Sequence, residues 1–282
     1  MEAPQVPGVY VFHGSNQNYP LYIGKSINIR SRLLSHLRNP KETRLLKQTC
    51  NISHIPTAGD ISALLLEAQM IKEQQPLFNK RLRKTKDTCS IALTENGLTI
   101  QYMDKQETGS NVELFGLFKN QTTAKERLRD LADEYRLCLS ILGFEPSTKG
   151  RACFRSAIKK CAGACCGNEN LQQHDTRLST ALNQYKVATW PYDGAIALHE
   201  SFGRLNEYHV LHNWRYHGSY KSERSVQKYK LSPQTLFDAD MYRILAKPIL
   251  SGEVKIIELE HPLPRADITD KNSLGRANKI NI

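Results

Sequence analysis

Residues 8–24 read GVYVFHGSNQNYPLYIG. Pro7 and Gly8 open the stretch, Val9 to Phe12 is an apolar run, and the turn formers of 13–20 lead into a second apolar run, Leu21-Tyr22-Ile23, ended by Gly24. This pattern predicts a β-hairpin with a longish loop. On neighbouring antiparallel strands Tyr10 and Tyr22 can project from one face of the sheet. Tyrosine is common in strands, so the pair alone marks no site.

Outward from the hairpin, Asn28 is placed to cap a helix with apolar positions Ile29, Leu33, Leu34 and Leu37, and Pro40 lies past its end. A third short strand is expected near 52–55. Asp60 is expected to cap a second helix, with Ile61, Leu64, Leu65 and Ala68 on one stripe and Pro76 as its stop. Strands first, with helices packed on them, imply a compact α+β module over residues 1–84. A second, Cys-rich unit is expected over 85–186. In it 90–93 and 98–102 form a hairpin around Asn96-Gly97, and helices cover about 122–137 and 171–185. A third, mixed α/β unit is expected over 187–282. Its strands would lie at 195–199, 208–211 and 254–259 and its helix at 233–245, with an aromatic stretch at 213–220 and a loose polar tail from Pro262.

The chain has 282 residues and a formal net charge of +11. Residues 1–86 hold 13 Lys and Arg against 5 Asp and Glu, so the excess is concentrated in the first module. Such a patch suits a polyanion, or is simply a solvated lysine-rich surface. The first residues lack the basic-then-apolar pattern of a secretory leader, and no run of 18 apolar residues exists, so a cytoplasmic protein without a membrane span is expected.

Three groups in the first module invite chemistry. Besides the tyrosines, Lys25 precedes Arg32 and His36, which are four apart on one helical face. Glu67 sits in Leu64-Leu65-Leu66-Glu67-Ala68, at the margin of an apolar stripe, where a carboxylate is costly unless paired or bound to a metal. An arginine ion pair would explain it as simply. Phosphodiester hydrolysis needs a base near a water, a cation on the phosphate and stabilisation of the leaving oxygen. Glu67 with Mg²⁺ and a bidentate Arg32 would supply the last two. A tyrosine would serve as base if Lys25, Arg32 and the metal lowered its pKa.

Of the seven cysteines, Cys153, Cys161, Cys165 and Cys166 follow Cys-x7-Cys-x3-Cys-Cys, with Cys138 fifteen residues upstream. An odd count argues against a disulfide framework. The spacing suits Zn²⁺ or an iron–sulfur cluster, and Lys159 and Lys160 are expected to lower the thiol pKa values. Cys50 and Cys89 read as buried thiols.

Gly8-Val9-Tyr10, Leu21-Tyr22-Ile23-Gly24-Lys25, Asn28 to Arg32, Leu64 to Ala68 and Pro76-Leu77-Phe78-Asn79 together resemble the GIY-YIG nuclease family, in its UvrC branch. The resemblance implies a Mg²⁺- or Mn²⁺-dependent DNA endonuclease of excision repair. Glu67 would hold the metal, Arg32 would steady the phosphate, and Tyr10 and Tyr22 would hold the water or act as base. Lys25 and Asn79 would complete the site, with His36 in a less defined role. Lys25, Arg30, Arg38, Lys80, Arg81 and Arg83 would contact DNA. The run from Gly150 to Cys165 resembles the same branch, which implies a [4Fe–4S] cluster on Cys138, Cys153, Cys161 and Cys165.

Long members of the branch add a UvrB-binding segment, an RNase H-like nuclease domain and a helix-hairpin-helix unit, for which residues 187–282 leave no room. The chain resembles the short homologues, which make only the incision 3′ of a lesion. That likeness implies damaged duplex DNA as substrate, loading by UvrA and UvrB, a third unit that contacts UvrB or DNA, a monomer, and induction in the SOS response. An autonomous structure-directed nuclease and a non-catalytic cluster-bearing DNA-binding protein are the competing readings.

Overall fold

The computed structural model describes residues 3–15, 19–83, 87–94, 97–105, 112–146, 151–232 and 234–260. The tail from Pro262, Asn96 of the middle hairpin turn and Pro233 lie outside them.

The first module is built from β1 (Gly8–His13), β2 (Pro20–Ser26), α1 (Ile29–Arg38), α2 (Thr43–Gln48), β3 (Asn51–Pro56) and α3 (Asp60–Gln74). Its strands form an antiparallel sheet in the order β2-β1-β3. Asn28 caps α1 by accepting from the Ser31 amide at 3.0 Å. The buried stripe of α1 is Ile29, Leu33 and His36, while Leu34 and Leu37 are 41% and 51% exposed. The expected apolar stripe is thus corrected: His36 takes the last inward position because its ring packs edge-on against Tyr10, Phe12 and Tyr22. The short helix α2 has one buried side chain, Leu45, and so left no periodic signal.

The middle unit holds β4 (Cys89–Thr94), β5 (Gly97–Tyr102), β6 (Glu113–Phe118), α4 (Gln121–Glu134), α5 (Phe154–Ala157) and α6 (Leu171–Asn183). Its sheet runs β5-β4-β6, with α4 and α6 covering it through Leu128, Leu131, Leu178 and Leu182. The strand β6 joins the expected hairpin from beyond residues 106–111.

The third unit holds β7 (Ile196–Phe202), β8 (Leu205–His212), β9 (Arg215–Tyr220), α7 (Glu223–Val226), α8 (Ala239–Ser251) and β10 (Lys255–Glu258), with strand order β10-β7-β8-β9. The aromatic stretch is therefore a strand, turned back on β8 through the left-handed residues Asn213 and Trp214. The helix begins at Ala239, later than expected, because the Asp238 carboxylate accepts from the amides of Asp240 and Met241 and so caps it there.

The three units share one core. Ile61, Leu65 and Ala68 of α3 pack with Ala92, Met103 and Leu114 of the middle unit and with Ile196, Leu198, Met241 and Leu245 of the third. On its other side α3 packs Met70 and Ile71 onto Val9, Val11 and Ile23. A helix buried on two sides carries apolar residues almost all round, which is why it shows no single stripe.

The start of α3 also departs from expectation. Asp60 is the first helical residue and not the cap. The free amides are met from the third unit: Glu200 accepts from Ile61 N at 3.1 Å, Ser62 N at 2.6 Å and Ser62 Oγ at 2.6 Å. A Cβ on Gly59 would lie 2.2 Å from Glu200 Oε1, so only glycine admits that carboxylate. Beside it, Ser62 Oγ lies 2.8 Å from Nε2 of the buried His209. Glu200→Ala is therefore expected to lower stability by about 1–2 kcal/mol, the usual value of a helix cap. A denaturant midpoint that does not move would contradict this reading of the α3 terminus.

Candidate active site

The cross-strand register sets Tyr10 opposite Gly24 and Phe12 opposite Tyr22. Tyr10 and Tyr22 thus share a face, with ring centroids 6.3 Å apart. The two motif glycines have steric reasons. A Cβ on Gly24 would sit 2.3 Å from the Tyr10 hydroxyl, and one on Gly8 would sit 2.3 Å from the Ile55 carbonyl oxygen.

Tyr10 is buried, and its hydroxyl lies 2.8 Å from His36 Nε2. His36 Nδ1 meets the carboxylate of Glu42 in a close hydrogen bond. With Nδ1 protonated toward Glu42, Nε2 is the acceptor and Tyr10 donates to it. Arg32 Nε donates to the same phenolic oxygen at 3.3 Å. The result is a chain from Glu42 through His36 to Tyr10, with Arg32 on the solvent side. Glu42 carried no sequence signal, since nothing in Lys41-Glu42-Thr43 shows that it faces His36.

Glu67 lies on the side of α3 toward the sheet. Its Oε1 accepts from the Lys25 backbone amide at 3.2 Å, and among the described residues it has no ion pair and its second oxygen has no hydrogen-bond donor. The expected arginine pair is absent there, so the simple explanation of this carboxylate fails. Burial pushes the Glu67 pKa up, against the lowering pull of the Lys25 amide, Lys25 and Arg32. A half-buried carboxylate with an open oxygen fits one divalent cation that keeps most of its own waters.

Two sequence expectations change here. Arg32 by itself does not bring the tyrosine pKa values below their usual range. Burial raises both phenols, Tyr22 adds to the rise at Tyr10, and Glu67 adds to it at Tyr22; Arg32 lowers each but does not prevail. The Lys25 ammonium is committed to Asp60 Oδ1 at 2.7 Å, so its tie to Glu67 is through the backbone. Asn79 is buried and spends both ends of its amide on Ile23, accepting from N and donating to O at 2.9 Å each. It clamps β2 beside Tyr22. Arg30, Arg38, Lys80 and Arg81 are exposed on the same module, and Arg83 donates to the Gln75 carbonyl.

In the middle unit the sulfurs of Cys138, Cys153, Cys161 and Cys165 lie within 4.8 Å of one another. Cys166 turns away and donates to the Gly163 carbonyl at 3.3 Å. Burial raises the thiols of Cys138 and Cys161 and pushes Cys165 up to about 11. Cys153 is lowered: burial opposes this, but the Ser156 amide and the neighbouring thiols outweigh it. The lowering comes from those groups and not from Lys160, which pairs with Asp133 at 2.8 Å. Four thiols this close suit a metal centre. The spacing approaches the edge of about 3.8 Å that a zinc tetrathiolate would have with bonds of about 2.3 Å; a four-iron cluster is larger and requires the sulfurs to spread. Outside the cluster, Cys89 is buried as expected, but Cys50 is exposed at the end of α2.

Comparison with known proteins gives three family matches along the chain. They are the UvrC-like GIY-YIG domain at residues 6–80, the UvrC/Cho excinuclease middle domain at 88–184 and the excinuclease Cho C-terminal domain at 195–263. Excinuclease cho of Escherichia coli (strain K12) is 49% identical over 259 residues, covering 92% of this chain and 88% of that protein. UvrABC system protein C of Rickettsia canadensis (strain McKiel) is 29% identical over 180 residues, covering 62% of this chain and 28% of that one. Among solved structures, the magnesium-bound GIY-YIG N-terminal endonuclease domain of UvrC from Thermotoga maritima is 34% identical. It covers 28% of this chain and 88% of that one, with a TM-score of 0.26.

Proposed function

This chain belongs to the UvrC/Cho excinuclease family of GIY-YIG DNA endonucleases, which act in nucleotide excision repair, and from that premise we propose that it makes one incision, on the 3′ side of a lesion, in duplex DNA loaded by UvrA and UvrB. The observation that carries the reading is Glu67, half-buried with an open oxygen next to the Tyr10–His36–Glu42 chain.

Glu67 is the residue that would hold Mg²⁺ or Mn²⁺. When bound, such an ion supplies a Lewis acid to the scissile phosphate and its leaving oxygen. The remaining work falls to side chains. Arg32, exposed at one end and tied to Tyr10 at the other, reaches the phosphate and steadies its growing charge. Tyr10 and Tyr22 hold the attacking water. Tyr10 has a proton outlet behind it: it can pass its own proton to His36, whose positive charge Glu42 then balances, as it takes one from water. Lys25 and Asn79 act as positioning residues, fixing Asp60 and the Ile23 backbone. Arg30, Arg38, Lys80, Arg81 and Arg83 contact the DNA backbone.

Cys138, Cys153, Cys161 and Cys165 are proposed to hold the [4Fe–4S] cluster of the resemblance. The third unit is proposed as the contact surface for UvrB or DNA, and the chain as a monomer.

The test uses a duplex with a single bulky adduct, loaded with UvrA and UvrB, to which the protein and Mg²⁺ are added. A nick 3′ of the adduct is expected. Equal cutting of undamaged DNA without the loading proteins would sink the repair assignment and favour an autonomous nuclease.

A further inference from the structure

Beside Glu67 a groove of about 1060 Å³ opens between the three units. That is at the upper limit of the roughly 300–1,000 Å³ of small-molecule clefts. Its rim carries Lys80, Arg81 and Arg83 from the end of the first module and Lys119 from the end of β6. Among the described residues none of these four has a carboxylate within ion-pair distance. The acids of the rim are already balanced: Lys72 pairs with Asp238 and lies 3.6 Å from Asp240, which Arg243 also meets at 3.2 Å. Glu67, at the active-site end, is the remaining carboxylate. The groove therefore offers net positive charge that begins at the catalytic centre.

Its floor has a different character. Leu64, Leu82, Leu117, Phe118 and Ile244 line it, so an aromatic ring and aliphatic side chains lie below the cationic rim. A duplex keeps its base faces stacked inside and offers such a surface its sugar–phosphate backbone and groove edges. An unpaired strand presents phosphates to the rim and bases to the floor, the arrangement by which single-stranded nucleic acid is held without sequence preference. We propose that this groove receives an unpaired segment of the DNA strand next to the scissile phosphate. The proposal rests on the nuclease reading for its placement at Glu67. It adds a binding track for the strand beyond the active site, in which Lys119 of the middle unit takes part.

The experiment measures binding by fluorescence anisotropy without divalent metal, so that no cutting is needed and its outcome is separate from the nicking assay above. The full chain, Arg81→Ala/Lys119→Ala and Lys119→Arg are each titrated with a bubble-containing duplex and with a fully paired duplex of the same length. The double variant should lose about tenfold in affinity for the bubble DNA. Its salt dependence should be shallower by about 0.7 for each phosphate that is no longer neutralised, the value for single strands. It should lose markedly less on the paired duplex, and Lys119→Arg should bind as the parent does. Unchanged bubble affinity, with melting temperatures equal, would overturn the proposal. So would an equal loss on both DNAs, which would assign the groove to duplex backbone.

Discussion

Glu67→Gln is expected to reduce metal-dependent nicking by at least about 10³-fold while leaving the fold intact. The substitution keeps the shape of the side chain and an oxygen that can accept from the Lys25 amide, but removes the charge that a divalent cation needs. Burial already pushes the Glu67 pKa up, so in the metal-free protein the ionised form opposes folding near neutral pH. Removing it should leave the melting temperature unchanged or raise it. Mg²⁺ should stabilise the parent protein against heat, since it binds the native state, and should no longer stabilise the variant. A variant that still nicks at the parental rate, or one whose loss of activity follows a fall in melting temperature, would show that Glu67 is not the metal's residue.

The second large effect concerns the cysteines. Cys161→Ala is expected to strip the metal and to loosen the segment around residues 151–167, at a cost of several kcal/mol to that unit. The physical reason is what surrounds the sulfurs. Among the described residues the small cluster there consists of Cys138, Cys153, Cys161, Cys165 and Ala164, with no large apolar side chain in it to replace what the metal contributes. Cys166→Ala should keep the metal, because its sulfur points to the Gly163 carbonyl. Metal analysis and limited proteolysis of the two variants read both effects. In the parent, about four irons per chain with absorption near about 400 nm support the cluster. One zinc per chain in a colourless, anaerobically purified preparation would replace it with a single-ion site. Loss of metal from Cys166→Ala and not from Cys161→Ala would overturn the ligand set.

Both effects concern residues that the linear sequence marks by type and spacing. The tyrosines, Arg32, His36, Glu67 and the cysteines fall in short segments, where local periodicity decides which residues are neighbours. A hairpin brings Tyr10 and Tyr22 together, one helical turn separates Arg32 from His36, and the last three cysteines of the set lie within 13 residues.

The hairpin, the capped helix after it, the acidic residue on an apolar helix and the compact cysteine set were all legible in the linear chain, because each rests on neighbours a few residues apart. The rest depends on groups brought together across long separations, and only folding reveals it. Glu42 is identified as the acid behind His36 by the turn after α1. The Lys25 ammonium is bound by Asp60, 35 residues away. The tyrosine pKa values rise because the site is buried, which no spacing reveals. Most of all, α3 is capped by Glu200, 138 residues from Ser62, and lies between two packed faces. The helix that carries Glu67 is held by the third unit as well as by its own module, and the two tyrosine tripeptides at residues 8–24 make only one wall of the site.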